Sequence, residues 1–304
     1  MNWIEISLAA DGEAAEAIAD LMYQYGYQGV VIEQGGFALD LWEDEAPPPN
    51  NVIVRAYLPD DADAPATQQK LENGLHHLNR IYPAVPQTPT YRTVRDEDWA
   101  EAWKAHYKPV RIGERLYIRP AWLEPDTQAD DVEIILDPGM AFGTGTHPST
   151  QLCLIALEDL APPPPRVLDL GCGSGILAIA AAKLGAGQVW ALDTDAIAVA
   201  ATIENAERNG VAEHIAAQQG SLENLLHSPR RFGLILVNIL AKIIIPMCEQ
   251  GLGSLVQPGG VGVFAGIIEE QADDVEAALR ATGLIPYRRR MMGDWVAIEA
   301  RREA

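Results

Sequence analysis

Three glycines at alternate positions are the part of this sequence best suited to chemistry. They stand in Val167-Leu-Asp-Leu-Gly-Cys-Gly-Ser-Gly-Ile-Leu177, where an apolar run ends in Gly171, Gly173 and Gly175 and an alanine-rich stretch follows at once. Glycine tolerates positive φ and lets a ligand lie against the backbone. In open α/β sheets a ligand binds just beyond the carboxyl ends of the strands. The spacing separates two kinds of cofactor. A dinucleotide loop reads G-x-G-x-x-G, whereas the sixth position here is Ile176. Asp169 stands two residues ahead of the first glycine, where dinucleotide sites are usually apolar. An acidic neighbourhood suits a cationic sulfonium better than a pyrophosphate. Asp169 is therefore placed to orient the loop or the ligand's ammonium group. Asp193 ends the next apolar run. A carboxylate there can accept both hydroxyls of an adenosine ribose, as an acidic residue about 20 positions on does in dinucleotide sites. Asp193 thus supports an adenosine cofactor without choosing which one. Asp195 reads as a helix cap, and Cys172 as a small residue without redox use.

These groups need strands and helices in alternation to hold them. Residues 167–170, 189–193 and 234–238 are short apolar runs, and 176–184, 196–208 and 269–281 are helical by period and alanine content. Pro148 and Ser149 open a further helix running to Leu160. Such alternation predicts a mostly parallel sheet covered on both faces, a Rossmann-like α/β fold. Strand candidates at 285–291 and 294–300 flank Gly293-Asp294 and predict a terminal β-hairpin. Upstream, strand-like segments at 3–8, 30–32, 52–57 and 90–95 alternate with helical periods at 13–25 and 66–80. That β-α-β-β-α-β order predicts a small ferredoxin-like α+β sandwich. A connecting helix is expected over 96–108 and a short β segment over 109–123. The expected domains are 1–90, a linker over 91–125, and 126–304.

Composition bounds the partners. The 304 residues are 48% hydrophobic and 21% charged, with 22 basic and 43 acidic side chains and a net charge of −21. That balance disfavours direct binding to a phosphate backbone, which wants Lys and Arg in excess. Residues 1–50 hold ten Asp or Glu and no Lys or Arg. They form a solvated acidic face or a surface that attracts a basic protein. Three cysteines, Cys153, Cys172 and Cys248, have no metal-type spacing, and their odd count fits a reducing compartment. The first residues do not read as a signal peptide, and no apolar run approaches the ~20 residues that span a bilayer. A cytoplasmic protein without membrane attachment, most simply a monomer, is expected.

The glycine loop and Asp193 resemble motifs one and two of the class I methyltransferases that use S-adenosylmethionine (SAM). Two further segments narrow the resemblance. Asp137-Pro-Gly-Met-Ala-Phe-Gly-Thr-Gly-Thr-His-Pro-Ser-Thr150 precedes the loop, and Val237-Asn-Ile-Leu-Ala241 ends the fourth strand. Over roughly residues 90–300 both resemble the ribosomal protein L11 methyltransferase (PrmA-type) family, while the N-terminal unit matches in architecture only. The resemblance implies N-methylation of a basic protein of the large ribosomal subunit, recognised by the N-terminal domain. It implies SAM contacts at Thr150, Gly171, Asp193 and Asn238. Gly173 and Asp169 would join the cofactor site, and Phe142 and Gly143 would lie over it as a lid. Thr150 would sit in a first helical turn, whose free N–H groups favour the methionine carboxylate. His147 is read as a loop histidine without catalytic use.

Asn238 also bears on the reaction. Many methyltransferases of adenine or glutamine nitrogen carry Asn or Asp followed by Pro-Pro and an aromatic residue. Here Ile239, Leu240 and Ala241 follow, which points to an aliphatic amine. Asn238 is the expected catalytic residue, its oxygen aiming a neutral amine for in-line displacement. Two alternatives stay open: a methyltransferase of another protein or small amine, and a SAM-binding module without turnover.

Overall fold

The structure is a computed structural model, and it describes residues 2–10, 12–25, 27–34, 52–80, 88–95, 108–136 and 145–303. The expected connecting helix, apart from Lys108, and the expected lid residues Phe142 and Gly143 lie outside the described residues. The chain divides into two compact units, residues 1–107 and 108–304.

The first unit runs β1 (Asn2–Ala10), α1 (Gly12–Gln24), β2 (Gln28–Gln34), β3 (Val52–Pro59), α2 (Ala64–Asn79) and β4 (Thr90–Arg95). Its four strands form one sheet in the order β2-β3-β1-β4, with every neighbouring pair antiparallel. Period-two alternation buries Ile6, Leu8 and Ala10 of β1 against Ile18 and Met22 of α1 and Leu71 and Leu75 of α2. Off that core, Glu5 ties β1 to β3, accepting from Arg55 Nη1 at 3.0 Å and from Tyr57 Oη at 3.1 Å.

The second unit opens with a three-stranded sheet of β5 (Val110–Ile112), β6 (Leu116–Pro120) and β7 (Val132–Leu136). A larger sheet follows, made of β8 (Arg166–Leu170), β9 (Gln188–Asp193), β10 (Ile215–Gln219), β11 (Phe232–Asn238), β12 (Val256–Ile268), β13 (Leu284–Met292) and β14 (Trp295–Arg302). Their order is β10-β9-β8-β11-β12-β14-β13. The first five run parallel, and β14 and β13 close the edge as an antiparallel hairpin turning at Gly293, φ 59°. The helices are α3 (Pro148–Asp159), α4 (Ile176–Lys183), α5 (Ala196–Arg208), α6 (Leu222–Leu226), α7 (Ala241–Gln250) and α8 (Ala272–Ala281). This is the doubly wound α/β sheet with a terminal hairpin that the alternating pattern predicts.

Alternate residues of each central strand enter different cores. Val167, Val189, Leu234 and Val263 pack with α3 and α4, whereas Leu168, Leu170, Ile235 and Phe264 pack with α7 and α8. A strand buried on both faces reads as an unbroken apolar run, which is why β8, β9 and β11 stand out in the sequence. Asp169 is the polar exception on the face toward α3 and α4. The chain leaves β8 in one direction for β9 and β10, and β11 and β12 lie on the other side. Ligands of open α/β sheets bind at this reversal of strand order, between β8 and β11.

Several elements were not expected. β7, β10, β12, α6 and α7 join the predicted framework, and the helix expected over 269–281 begins as a 3-10 turn before α8. Asn209, the C-cap residue of α5, fastens β7 to this framework. Its Oδ1 accepts from Ile135 N at 2.9 Å and its Nδ2 donates to Ile135 O at 2.6 Å.

Candidate active site

The carboxyl ends of β8, β9 and β11 bring six of the sequence-expected residues into one region. Gly171, Gly173 and Gly175 follow β8 with φ of 81°, 53° and 80°. Those left-handed values carry a steric penalty for any residue with a Cβ. Packing adds a second requirement. A Cβ on Gly171 would come within 2.6 Å of Ile239 Cγ2, and one on Gly175 within 2.8 Å of Thr202 Cγ2. The glycines therefore admit parts of this same chain as well as leaving backbone open toward a ligand.

Asp193 lies at the end of β9, and loop amides hold its side chain on both oxygens. Gly173 N donates to Oδ2 at 2.9 Å and Asp195 N donates to Oδ1 at 3.0 Å. An ionised carboxylate offers about four acceptor positions, so two remain for the vicinal hydroxyls of a ribose. Asp195 then caps α5, accepting from Ile197 N at 2.9 Å.

Asp169 is fully buried. Its Oδ2 accepts from Ala178 N in the first turn of α4 at 3.0 Å, while Oδ1 is buried without a hydrogen-bond partner. Burial pushes its pKa up to about 7; the Ala178 N–H opposes that rise and the Asp193 charge adds to it. An orphaned carboxylate oxygen beside a glycine cradle fits a ligand that brings a cationic donor, and the SAM ammonium is one.

The third side of the site joins β11 to α3. Asn238 Nδ2 donates to Thr150 Oγ1 at 3.1 Å. Thr150 is fully buried in the first turn of α3. Using the Asn238 amide nitrogen this way leaves Oδ1 as the acceptor, and among the described residues no partner occupies it. Phe142 and Gly143 lie outside the described residues, so the lid expectation rests on sequence alone.

The sequence reading missed the residues that support this site. His147 is not a passive loop residue: it is the N-cap of α3, its Nδ1 accepting from Ser149 N at 3.2 Å and lying 2.7 Å from Ser149 Oγ. Its ring packs edge-on against Trp295 of β14 at 4.5 Å between centroids. Burial lowers its pKa to about 4, which keeps Nδ1 free to accept. Pro148 was the available signal, because proline at the first helical position makes the preceding residue the cap. Thr202 and Asn205, which back the glycine loop from α5, carried no such signal.

Comparison with known proteins finds relatives that match along nearly the whole chain. The family model for ribosomal protein L11 methyltransferase (PrmA) matches residues 2–303 and so includes the N-terminal unit. The ribosomal protein L11 methyltransferase of Chloroflexus aurantiacus is 44% identical over 326 residues, covering 99% of this chain and 98% of its own. That of Herpetosiphon aurantiacus is 44% identical over 322 residues, covering 99% of each. The crystal structure of ribosomal protein L11 methylase from Lactobacillus delbrueckii subsp. bulgaricus matches with a TM-score of 0.59 at 37% identity, covering 65% of this chain and 100% of that one. The chain belongs to the ribosomal protein L11 methyltransferase family.

Proposed function

We propose that this chain transfers methyl groups from SAM to amine nitrogens, lysine ε-amines or an α-amine, of the large-subunit ribosomal protein L11. The observation that carries the reading is the pairing of Asn238 with Thr150 beside the glycine loop and Asp193. It sets a side-chain acceptor next to a cofactor cradle.

SAM, when bound there, supplies an electrophilic methyl group on a cationic sulfur. The protein's part is to bind, orient and exclude water. Asp193 accepts the ribose hydroxyls, the first turn of α3 at Thr150 receives the carboxylate, and Asp169 answers the ammonium. Gly171 and Gly173 let the backbone approach. The sequence resemblance assigns the lid role to Phe142 and Gly143. Asn238 Oδ1 accepts an N–H of the incoming amine and turns its lone pair toward the methyl group. Such a transfer moves charge rather than creating it, so positioning dominates catalysis. The amine must arrive neutral. Ordinary pKa values are about 10.4 for lysine and about 7.7–8 for an α-amine, and desolvation lowers both. His147 is not a general base in this scheme, because its Nδ1 is engaged in the cap of α3.

The first unit is the proposed recognition domain. Acidic residues predominate at its amino end, and ribosomal proteins are basic, so the charges are complementary. The reaction is assigned to the cytoplasm, with a monomeric enzyme and no direct contact to nucleic acid.

Purified protein given radiolabelled SAM and a lysate should label one small basic protein, identified as L11 by mass spectrometry. Label on a different protein or a small amine would overturn the substrate. Cofactor binding by calorimetry without any labelling would make the chain a SAM-binding module.

A further inference from the structure

Five consecutive peptide planes of the glycine loop are each held by a hydrogen bond. Gly171 N and Cys172 N both donate to Leu192 O on β9, at 2.8 and 3.1 Å. Gly173 N donates to Asp193 Oδ2 at 2.9 Å. The next two planes are held through their carbonyls. Gly173 O accepts from Thr202 Oγ1 at 2.9 Å, and Ser174 O accepts from Asn205 Nδ2 at 3.0 Å. A backbone strand supplies the first two contacts, a carboxylate the third, and side chains of one helix the last two.

Those two side chains are placed for this purpose. Thr202 and Asn205 lie three residues apart on α5, hence on one face, and both are buried. Arg208, three residues further, donates from Nη1 to Asn205 Oδ1 at 2.6 Å. That bond fixes the Asn205 amide with its NH2 group toward the loop. Thr202 is also the atom group that a side chain at position 175 would strike. The helix and the loop are therefore in direct contact, with no layer between them.

We infer that Thr202 and Asn205 are positioning residues for the cofactor: they hold the Gly173 and Ser174 carbonyls so that the Gly173 amide stays aimed at Asp193. Without the Thr202 hydroxyl the Gly173 carbonyl loses its side-chain restraint at a residue that tolerates many conformations. The Gly173 amide, on the adjoining plane, then keeps only its own bond to Asp193 and aims that carboxylate less firmly. The effect falls on the adenosyl half of the ligand, which the methylated and demethylated cofactors share. It should leave the amine end at Asn238 alone.

The inference rests on the proposed SAM site, and the experiment separates the two. Calorimetry on the wild-type protein with SAM and with S-adenosylhomocysteine tests the site itself; absence of binding there defeats the site before any variant is read. Thr202→Val keeps the shape and removes the hydroxyl. It should weaken both ligands by about fivefold to tenfold, the worth of one internal hydrogen bond. The KM for SAM should rise to match while kcat at saturation stays within about twofold. Thr202→Ser should restore both affinities. A role confined to satisfying buried polar atoms would lower the melting temperature and leave both affinities unchanged, which would overturn the inference. Thr202→Ala provides the same measurement should valine prevent folding.

Discussion

The turns after β8 and β11 flank the switch point of the same sheet, yet they present different chemistry. The turn after β8 presents backbone. It has three glycines at positive φ, and its amides and carbonyls are fixed by β9 and α5. The turn after β11 presents a side chain. Asn238 is followed by Ile239 and Leu240 before α7 begins, without a glycine. The two are also interlocked. A Cβ on Gly171 would press on the Ile239 side chain, and one on Gly266 would press on the Ile239 carbonyl. Glycines from both neighbouring strands make room for this turn. A rigid backbone cradle suits a ligand that is always the same, whereas a side chain on a tight turn suits an incoming group that must be aimed.

Separate losses on the two sides would test that division, and they are the largest effects expected. Asp193→Ala should weaken SAM binding by about a hundredfold, since hydrogen bonds to a charged group contribute about 1.5–3 kcal/mol each. Asn238→Ala should keep SAM affinity within about tenfold but reduce turnover by about a hundredfold, the scale of a misaimed reacting group. Calorimetry and steady-state kinetics on the pair decide it. Loss of affinity in both variants, with normal turnover at saturation, would erase the distinction between the two turns.

The same contrast explains what could be read from the sequence. A backbone cradle leaves a local signature, because positive φ demands glycine and a doubly buried strand demands an apolar run. The loop at 171–175, Asp193 and the hairpin around Gly293 were all legible for that reason. Contacts made by side chains across long separations leave none. Thr202 and Asn205 reach carbonyls about thirty positions upstream from a helix whose pattern looks ordinary. β10, Ile215-Ala-Ala-Gln-Gln219, is an edge strand too polar to register as an apolar run. β12 begins Val256-Gln-Pro-Gly-Gly, which reads as a turn, and its register with β11 does shift there.

Asp169 sharpens the comparison at an intermediate size. Its pKa in the fold, pushed up to about 7, lies above the ordinary carboxylate value. Between those two values the folded chain keeps a proton that the unfolded chain has released, so this group's contribution to stability falls as pH rises through that window. A bound ammonium favours the ionised form. SAM affinity should therefore rise as pH increases through about 7 and fall again once the ligand's own ammonium loses its proton. Asp169→Asn should bind more weakly and lack that rise. A wild-type profile that also lacks it would mean that Asp169 acts only on the first turn of α4.

The smallest effect concerns how the two turns share one support. Thr150 meets Asn238 from α3, and His147 caps that helix while its ring packs on Trp295 at the start of β14. The terminal hairpin thus touches the residue that fixes the first turn of α3. His147→Ala removes a cap worth about 1 kcal/mol, about 2–4 °C in melting temperature for a unit of this size. It should also weaken SAM a few-fold through Thr150. His147→Asn restores a capping acceptor but not the ring contact, so it should recover affinity more fully than stability. The wild type has a further mark. Unfolded, His147 titrates at its ordinary value of about 6.5; folded, burial lowers that to about 4. Through that interval the unfolded chain binds a proton that the folded chain does not. Its contribution to stability is therefore complete above the interval and is lost as pH falls through it. Melting curves from pH 7 to pH 4 should drop less steeply for His147→Asn than for the wild type. Parallel curves would show that His147 takes up its proton within the fold, and a protonated Nδ1 could no longer accept from Ser149.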